Sequence, residues 1–243
     1  YDGPVMEHLD LYRAKSGEEI VSQLYSFSDR GGRELALRPE ITPTLARMVN
    51  ARINALPRPI KWFSVPRLFR AENPQKGRLR EFFQWNVDVI GVDDVVADAD
   101  CIFTAVDLLA ELGLSPEDVV VRIGSRPLTV GALRTAGVAE ENIDAALAAL
   151  DKRPKVPEDR FASLAEEAGI PPQRLGRLTA FQDAADLSAA REAIGADASV
   201  DREAEKLSAL LKHLESMGAE EYCRLDLRIV RGLAYYTGTV YEV

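Results

Sequence analysis

Cysteine is scarce in this chain: Cys101 and Cys223 are the 2 present among 243 residues. They stand far apart in no C-x-x-C spacing, which excludes a disulfide framework, and they form no Cys/His cluster of the kind that holds zinc. A reduced, cytoplasmic setting is the default expectation. Long apolar runs are missing too. No stretch approaches the ~18 residues that a membrane-crossing helix needs, and no charged-then-apolar leader opens the chain, so no membrane partner is expected. Positive charge is in deficit, with 30 Lys and Arg against 39 Asp and Glu and a net charge of -9. The sequence pI near 4.9 argues against a surface that embraces nucleic acid throughout, but leaves room for a focused basic site. No methionine opens the chain, which starts at Tyr1, and Val240 to Val243 still read as strand. Both ends look cut, so a piece of a longer polypeptide is expected. What is present suffices for folding: a hydrophobic content of 47% supplies a core, and the length allows one large domain or two small ones.

The basic residues concentrate in one place. Between Arg58 and Arg80 there are 7 Lys or Arg against a single acid, Glu72, a local inversion of charge that suggests a polyanion site. The stretch Arg67 to Gly91, RLFRAENPQKGRLREFFQWNVDVIG, reads as two strands joined by a basic loop whose Asn73-Pro74-Gln75-Lys76-Gly77 supplies turn chemistry. Along the second strand Arg80, Phe82, Gln84, Asn86 and Asp88 fall on one face, and Glu81, Phe83, Trp85 and Val87 on the other. One face is expected to pack and the other to meet polar ligands. Alternation alone describes any half-solvated hairpin. The chemical type says more: an aromatic, an amide and a carboxylate set between arginines can stack a base, orient a substrate and neutralise phosphate.

The flanking sequence divides into recognisable pieces. Leu9 to Gly17 reads as a short helix. Ser28-Asp29-Arg30-Gly31-Gly32 then reads as a hairpin turn into a strand at Arg33 to Leu37. That strand delivers Arg38-Pro39-Glu40-Ile41-Thr42-Pro43, where Thr42 is placed to cap a helix beginning at Pro43. Ala97 to Leu112 reads as a helix stopped by Gly113, and Val119 to Ile123 as a buried strand. Leu128 to Gly218 is almost wholly helical in pattern, rich in Ala and Glu, with interspersed charges that suit solvated faces. Tyr222 to Val230 alternates like a strand and leads into Arg231-Gly232-Leu233-Ala234-Tyr235-Tyr236.

These pieces together resemble a family. The spacing F-R-x-E-x-P-Q-K-G-R-x-R-x-F-x-Q is similar to the second signature motif of class II aminoacyl-tRNA synthetases, in the form found in histidyl-tRNA synthetases. Arg38-Pro39-Glu40-x-Thr42 resembles that family's R-P-E-x-T, and Arg231 to Tyr236 its histidine-specific R-G-L-D-Y-Y, with Ala234 in place of Asp. Tyr1 to Val5 resembles the end of the first motif, whose proline, here Pro4, lies at the dimer interface. The resemblance implies an α+β fold, a mainly antiparallel sheet flanked by helices with an inserted helical subdomain. It divides the chain into a first part of the catalytic core at 1–126, a helical insertion at 127–220 and a return to the core at 221–243. The glycine-rich third motif and the anticodon-binding domain are absent, so these residues alone should be catalytically weak.

By the same resemblance the chain activates L-histidine with ATP, accompanied by Mg2+, and transfers it to tRNA(His) as a homodimer. Arg70 and Arg231 would grip the α-phosphate from two sides as catalytic groups. Phe82 would stack the adenine, Arg78 would reach the outer phosphates, and Glu72 would read the adenine amino group or orient the loop. Arg80 has no single assignment, since Glu81 of a neighbouring chain or Glu72 would serve as its partner. Glu40 and Thr42 would hold the α-ammonium of histidine, although a first-turn acid and a helix cap explain the same residue types. Gln84, Asp88, Tyr235, Tyr236 and Arg231 would complete the histidine site, with Asp88 and Tyr236 on the imidazole. Asp88 is one methylene shorter than the family's usual glutamate. No carboxylate pair marks a ligand for Mg2+, and no protein metal site is assigned. The competing expectation is a non-catalytic relative, the histidine-sensing regulatory subunit of ATP phosphoribosyltransferase. In such a sensor Arg70, Arg78, Phe82 and Arg231 would have no evident use. A generic nucleic-acid-binding module is a third reading, and the acidic balance counts against it.

Overall fold

The computed structural model of the chain describes residues 1–16, 21, 23–71, 76–195, 197–230 and 236–243. They form two compact units, Tyr1–Asp93 and Asp94–Val243.

In the first unit, β1 (Met6–His8), α1 (Leu9–Ser16), β2 (Ser26–Ser28) and β3 (Glu34–Leu37) come first in the chain. The three strands form an antiparallel sheet in the order β1-β3-β2. The β2–β3 hairpin follows from local chemistry. Asp29 accepts the backbone N–H groups of Gly31 and Arg33 at 2.8 and 2.9 Å, and Gly32 takes the positive φ of 77° that closes the turn. Leu9, Tyr12 and Leu24 bury themselves against Ala36 of β3.

Next comes α2 (Thr42–Asn50), which buries Leu45 and Val49 against Ile60. Its cap differs from the expectation. The N-cap position is Ile41, no side chain caps the helix, and Pro43 already lies within the first turn. Thr42 is therefore not a capping residue.

The remaining strands of this unit are β4 (Ile60–Ser64), β5 (Arg67–Phe69), β6 (Glu81–Phe83) and β7 (Asn86–Ile90). The second strand read from the sequence at residues 80–88 is thus two strands. β6 pairs with β5 through Arg67↔Phe83, and β7 pairs with β4 through Ser64↔Asn86, all antiparallel. Pro66 explains the interruption: it has no N–H to donate to a ladder, so the pairing breaks on both sides of it. Its carbonyl still accepts from the Gln84 N–H at 3.2 Å, bridging the gap. The inside–outside assignment of the strand also needs correction. Phe83 and Trp85, expected to pack, are 63% and 38% exposed, whereas Phe82 is half-buried. Arg67 partly covers Phe83, its guanidinium 5.0 Å from the ring centroid, and pairs with Glu81 at 2.9 Å.

The second unit opens with α3 (Val95–Glu111). Asp94 caps it by accepting the Val96 N–H, and Gly113 at φ 82° ends it. β8 (Val121–Ser125) is followed by α4 (Arg126–Thr135), α5 (Ile143–Lys152), α6 (Glu158–Glu167), α7 (Pro172–Gln182), α8 (Leu187–Ile194) and α9 (Ala198–Ser216), and then by β9 (Cys223–Leu225) and β10 (Thr239–Glu242). β8 is central in its sheet, antiparallel to β10 and parallel to β9. One hydrophobic core runs through this unit, joining Ile102 of α3 and Ile123 of β8 to Leu147, Phe181 and Leu210 of the helical stretch. Gly137 at φ 84° follows α4, Gly195 at φ 95° follows α8 and Pro172 opens α7, whereas α7 and α8 are divided at residues 183–186, which hold neither glycine nor proline.

The strand expected over residues 222–230 stops at Leu225. Asp226, buried to 7% exposure, accepts the Arg228 backbone N–H at 3.1 Å and its guanidinium at 2.9 and 3.1 Å. Such a side-chain-to-backbone turn competes with strand pairing, and its polar residues at alternate positions imitate a strand in sequence. The same segment packs so closely on Gly124 that an added Cβ there would lie 2.7 Å from the Ile229 carbonyl oxygen.

Candidate active site

Two of the segments singled out in the first unit, the one after β3 and the one that holds Arg70, meet at Arg38. Its guanidinium is 3% exposed and donates from Nε to the Arg67 carbonyl at 2.9 Å and from Nη1 to the Gly3 carbonyl at 2.7 Å and Asp2 Oδ1 at 3.0 Å. The Phe69 N–H donates to the Arg38 carbonyl at 2.9 Å. Arg38 thereby ties the segment after β3 to β5 and to the residues preceding β1. Sequence reasoning placed Arg38 only within a motif, and its structural part was not visible there.

One residue further along each segment, the functional candidates meet. Arg70 Nε donates to the Pro39 carbonyl at 3.2 Å, and its guanidinium lies over the Phe82 ring, 5.2 Å from the centroid. The Arg70 N–H bonds the Arg80 carbonyl at 2.9 Å, carrying the β5–β6 pairing one step past the strand ends. Arg70 is thus held beside the aromatic expected to stack a base, and its anchor is the residue preceding Glu40. A guanidinium fixed in this way is pre-oriented toward any phosphate that enters, because less of its side-chain freedom remains to be lost.

Glu40 carries an ion pair the sequence did not suggest: its Oε2 accepts from the Lys15 ammonium of α1, both side chains being 22% exposed. Thr42 is exposed at the start of α2 and, among the described residues, its hydroxyl makes no hydrogen bond. A carboxylate already matched to an ammonium, beside an uncommitted hydroxyl, is a donor–acceptor set that an amino acid's α-ammonium can use.

Asp88 lies opposite Trp62 in the β4–β7 ladder and is half-buried. The Tyr1 hydroxyl donates to its Oδ2 at 3.1 Å. Burial pushes the Asp88 carboxyl above its ordinary range, and the Tyr1 hydrogen bond opposes that shift. Gln84 is exposed at the break between β6 and β7, its carbonyl accepting from the Asn86 side chain at 3.2 Å. Arg78 and Arg80 are exposed beyond Gly77, which has φ 81°.

Tyr236 belongs to the second unit. There it lines a cleft of about 290 Å3 together with Arg126, Arg134, Ser199, Arg202 and Thr237. Arg126 pairs with Asp144 at 2.7 Å and Arg134 with Glu140 at 2.5 Å. Glu72, Arg231 and Tyr235 lie outside the described residues. Among the described residues no group of three or more His, Cys, Asp or Glu is arranged to hold a metal ion, and no helix is long and apolar enough to cross a membrane. Among the described residues Cys101 and Cys223 form no disulfide.

Short antiparallel pairs together with helices make this an α+β fold, consistent with a class II synthetase-like core. A profile of the histidyl-tRNA synthetase family matches residues 2–243, and the chain belongs to that family. Relatives include a histidine–tRNA ligase of Opitutus terrae, 43% identical over 253 residues, and one of Natronomonas pharaonis, 41% identical over 239 residues. The matches cover 100% and 98% of this chain but 56% and 55% of those relatives, so the chain spans a little over half their length. Solved structures carry the same fold. An ATP phosphoribosyltransferase regulatory subunit/histidyl-tRNA synthetase from Bacillus halodurans gives a TM-score of 0.84 at 24% identity, covering 100% of this chain and 62% of that one. A histidyl-tRNA synthetase from Nostoc gives 0.83 at 23% identity, covering 100% and 56%.

Proposed function

We propose that the chain is the amino-acid-activating part of a histidine–tRNA ligase, which uses ATP to form histidyl-adenylate and then transfers histidine to tRNA(His). The observation that carries this reading is the fixed Arg70, bonded to the Pro39 carbonyl and seated over Phe82. It occurs in a chain 41–43% identical to proteins named histidine–tRNA ligase.

In the activation step a carboxylate oxygen of histidine attacks the α-phosphorus of ATP. A new O–P bond forms, the bond from that phosphorus to the bridging oxygen breaks, and pyrophosphate leaves with the electron pair. Negative charge gathers on the α-phosphoryl oxygens, so a preorganised cation stabilises the transition state more than the ground state. Arg70 supplies one such cation, and Arg231 supplies the second by family resemblance. Phe82 stacks the adenine, Glu72 orients the loop or the base, and Arg78 reaches the outer phosphates. Glu40 and Thr42 take the α-ammonium. Gln84, Asp88, Tyr235 and Tyr236, with Arg231, take the rest of the amino acid, Asp88 accepting from the imidazole N–H. Site polar groups left unpaired by an apolar amino acid would reject it by ~10^4 or more.

Mg2+ belongs to this reading as a companion of the phosphates, which hold it through water and phosphate oxygens. No donor cluster among the described residues fits a resident metal, and no step is assigned to one. The division into core, a helical insertion at 127–220 and a return to the core is part of the same reading. So are homodimer formation, which the exposed Val5 and Met6 beside Pro4 support, and a cytoplasmic setting.

The test is histidine-dependent ATP–pyrophosphate exchange by the full-length protein. Arg70→Ala should lower the exchange rate by about 10^2-fold or more, with a smaller change in ATP affinity. Histidine binding without any exchange would favour the regulatory-subunit reading and overturn this one.

A further inference from the structure

Asp88 is the one carboxylate assigned to the imidazole, and its surroundings single it out. It is half-buried in the middle of the β4–β7 ladder. Among the described residues no cation forms an ion pair with it, and its one hydrogen-bond partner is the Tyr1 hydroxyl, 3.1 Å from Oδ2. A carboxylate drawn partly out of water with no counter-charge is costly unless hydrogen bonds replace the lost solvation. A structural acid in a sheet is normally matched to an Arg or Lys. Asp88 is matched, among the described residues, to a neutral hydroxyl and to no counter-charge.

The partner is itself held firmly. The Tyr1 backbone nitrogen donates to the Phe63 carbonyl at 2.8 Å, lining residue 1 up beside β4. The Tyr1 ring packs on Trp62, centroids 5.7 Å apart and planes 33° to one another, and Trp62 is the residue directly across the ladder from Asp88. Burial, then the adjacent Asp88 charge, pushes the phenol's titration upward, so the hydroxyl keeps its proton and acts as a donor. Backbone, ring and hydroxyl thus fix one side chain at three points, and the third point is the carboxylate.

We propose that Tyr1 is a specificity-positioning residue of the histidine pocket: its hydroxyl ties Oδ2 of Asp88 in place and leaves Oδ1 aimed as the acceptor for a ring N–H of the bound imidazole. The proposal rests on the assignment of Asp88 to the imidazole made above. Its physical content is preorganisation. An untethered Asp must lose rotamer freedom when the ligand arrives, whereas a tethered one has lost it on folding. Tethering matters more for Asp than for a longer Glu, because the shorter arm has less reach with which to correct a misplaced head group.

The experiment uses the full-length protein and separates KM values for histidine and ATP in pyrophosphate exchange, with thermal melting alongside. Tyr1→Phe keeps the ring on Trp62 and removes the oxygen alone. It should raise the histidine KM about tenfold, the worth of one hydrogen bond to a charged group, and leave the ATP KM within twofold. Asp88→Ala should produce a larger loss of histidine affinity, and adding Tyr1→Phe to it should change nothing further, since no acceptor then remains for the hydroxyl to hold. An unchanged histidine KM in Tyr1→Phe overturns the proposal, as does an equal rise in both KM values. If Asp88→Ala itself leaves histidine affinity intact, the assignment of Asp88 fails first. If Asp88→Ala is damaging and Tyr1→Phe is silent, only the tether fails.

Discussion

The ion pair between Lys15 and Glu40 turns into a quantitative expectation about substrate affinity. On the proposed assignment Glu40 accepts the α-ammonium of histidine, yet in the ligand-free fold another ammonium already sits on it. Lys15 therefore competes with the substrate for the same carboxylate. Both side chains are 22% exposed, so the pair is neither fully screened nor fully desolvated, and a net worth of about 1 kcal/mol is the appropriate scale. That free energy corresponds to a pairing constant of about 5, so the competent, unpaired form is about one sixth of the population and the apparent dissociation constant for histidine is raised about sixfold. Replacing Lys15 by Met, which keeps the length and removes the charge, should lower the histidine KM by roughly that factor. The ATP KM should stay put. The folded state loses the same pair, so the melting temperature should fall by about 2–4 °C. The assay is pyrophosphate exchange by the full-length protein with histidine and ATP varied in turn, and Lys15→Arg serves as the charge-retaining control. A raised histidine KM in Lys15→Met would refute the reasoning, because it would mean that Lys15 helps to hold the substrate. An unchanged KM with a lowered melting temperature would show that the substrate ammonium binds elsewhere than Glu40.

Three further outcomes follow from the packing. Arg38→Met removes a guanidinium that is 3% exposed and leaves the Gly3 and Arg67 carbonyls without their donor; chemical denaturation should show a loss of about 3–5 kcal/mol, the cost of breaking one side of a buried charged network. Asp226 is buried, which alone would raise its titration, but the bonds from Arg228 outweigh this and hold it below the ordinary value of 3.8. A depressed folded value stabilises the protein above pH 3.8 and the benefit is lost as pH falls through the lower folded value. Asp226→Asn should therefore melt below the wild type at pH 7, and the gap should close in acid. The Cys223 thiol is pushed up to about 11 by burial, so at pH 8 it is a thiol rather than a thiolate, and a thiol-reactive dye should label it only in denaturant; rapid labelling of the folded protein would contradict the packing around β9.

The parts of the fold that were legible in sequence are those built by near neighbours. The β2–β3 hairpin is set by Asp29 and Gly32 within its own turn, and α3 is bounded by Asp94 and Gly113 at its own ends. Several helix ends from α4 to α9 fall at glycines and prolines, as at Gly137, Pro154 and Gly195, although Gly131 and Gly176 lie inside helices. What was not legible involves distance along the chain. Pro66 interrupts the strand that contains Gln84 because the two meet across a ladder, and a period-2 pattern read along residues 80–88 carries no trace of a proline on the facing strand. Thr42 has the right residue type for a cap and is not one, since the backbone enters α2 through Ile41. The alternation of Arg224, Asp226 and Arg228 is equally consistent with a strand and with the side-chain-closed turn that forms. Phe83 and Trp85 satisfy an inward pattern on a strand whose outer side they occupy.

The same division explains what the motifs reveal and what they conceal about the site. A motif records residues whose chemistry is needed at one short spacing, and Arg70 and Phe82 were found in that way. The residues that set how two of the proposed ligand-binding acids behave are found by no spacing at all. Lys15 reaches Glu40 across 25 residues and Tyr1 reaches Asp88 across 87. Both come from the first sixteen residues, where the resemblance reached only Tyr1 to Val5 and gave neither side chain a part in the site. Arg38 binds this segment to β5, donating to Asp2, to the Gly3 carbonyl and to the Arg67 carbonyl, so on the proposed assignment the N-terminal residues flank the histidine site. Substitutions of Lys15 and Tyr1 should alter histidine affinity and leave ATP affinity alone, whereas loss of Phe82 should weaken ATP binding and loss of Arg70 should lower the rate, because these groups act on opposite ends of the bond that activation forms.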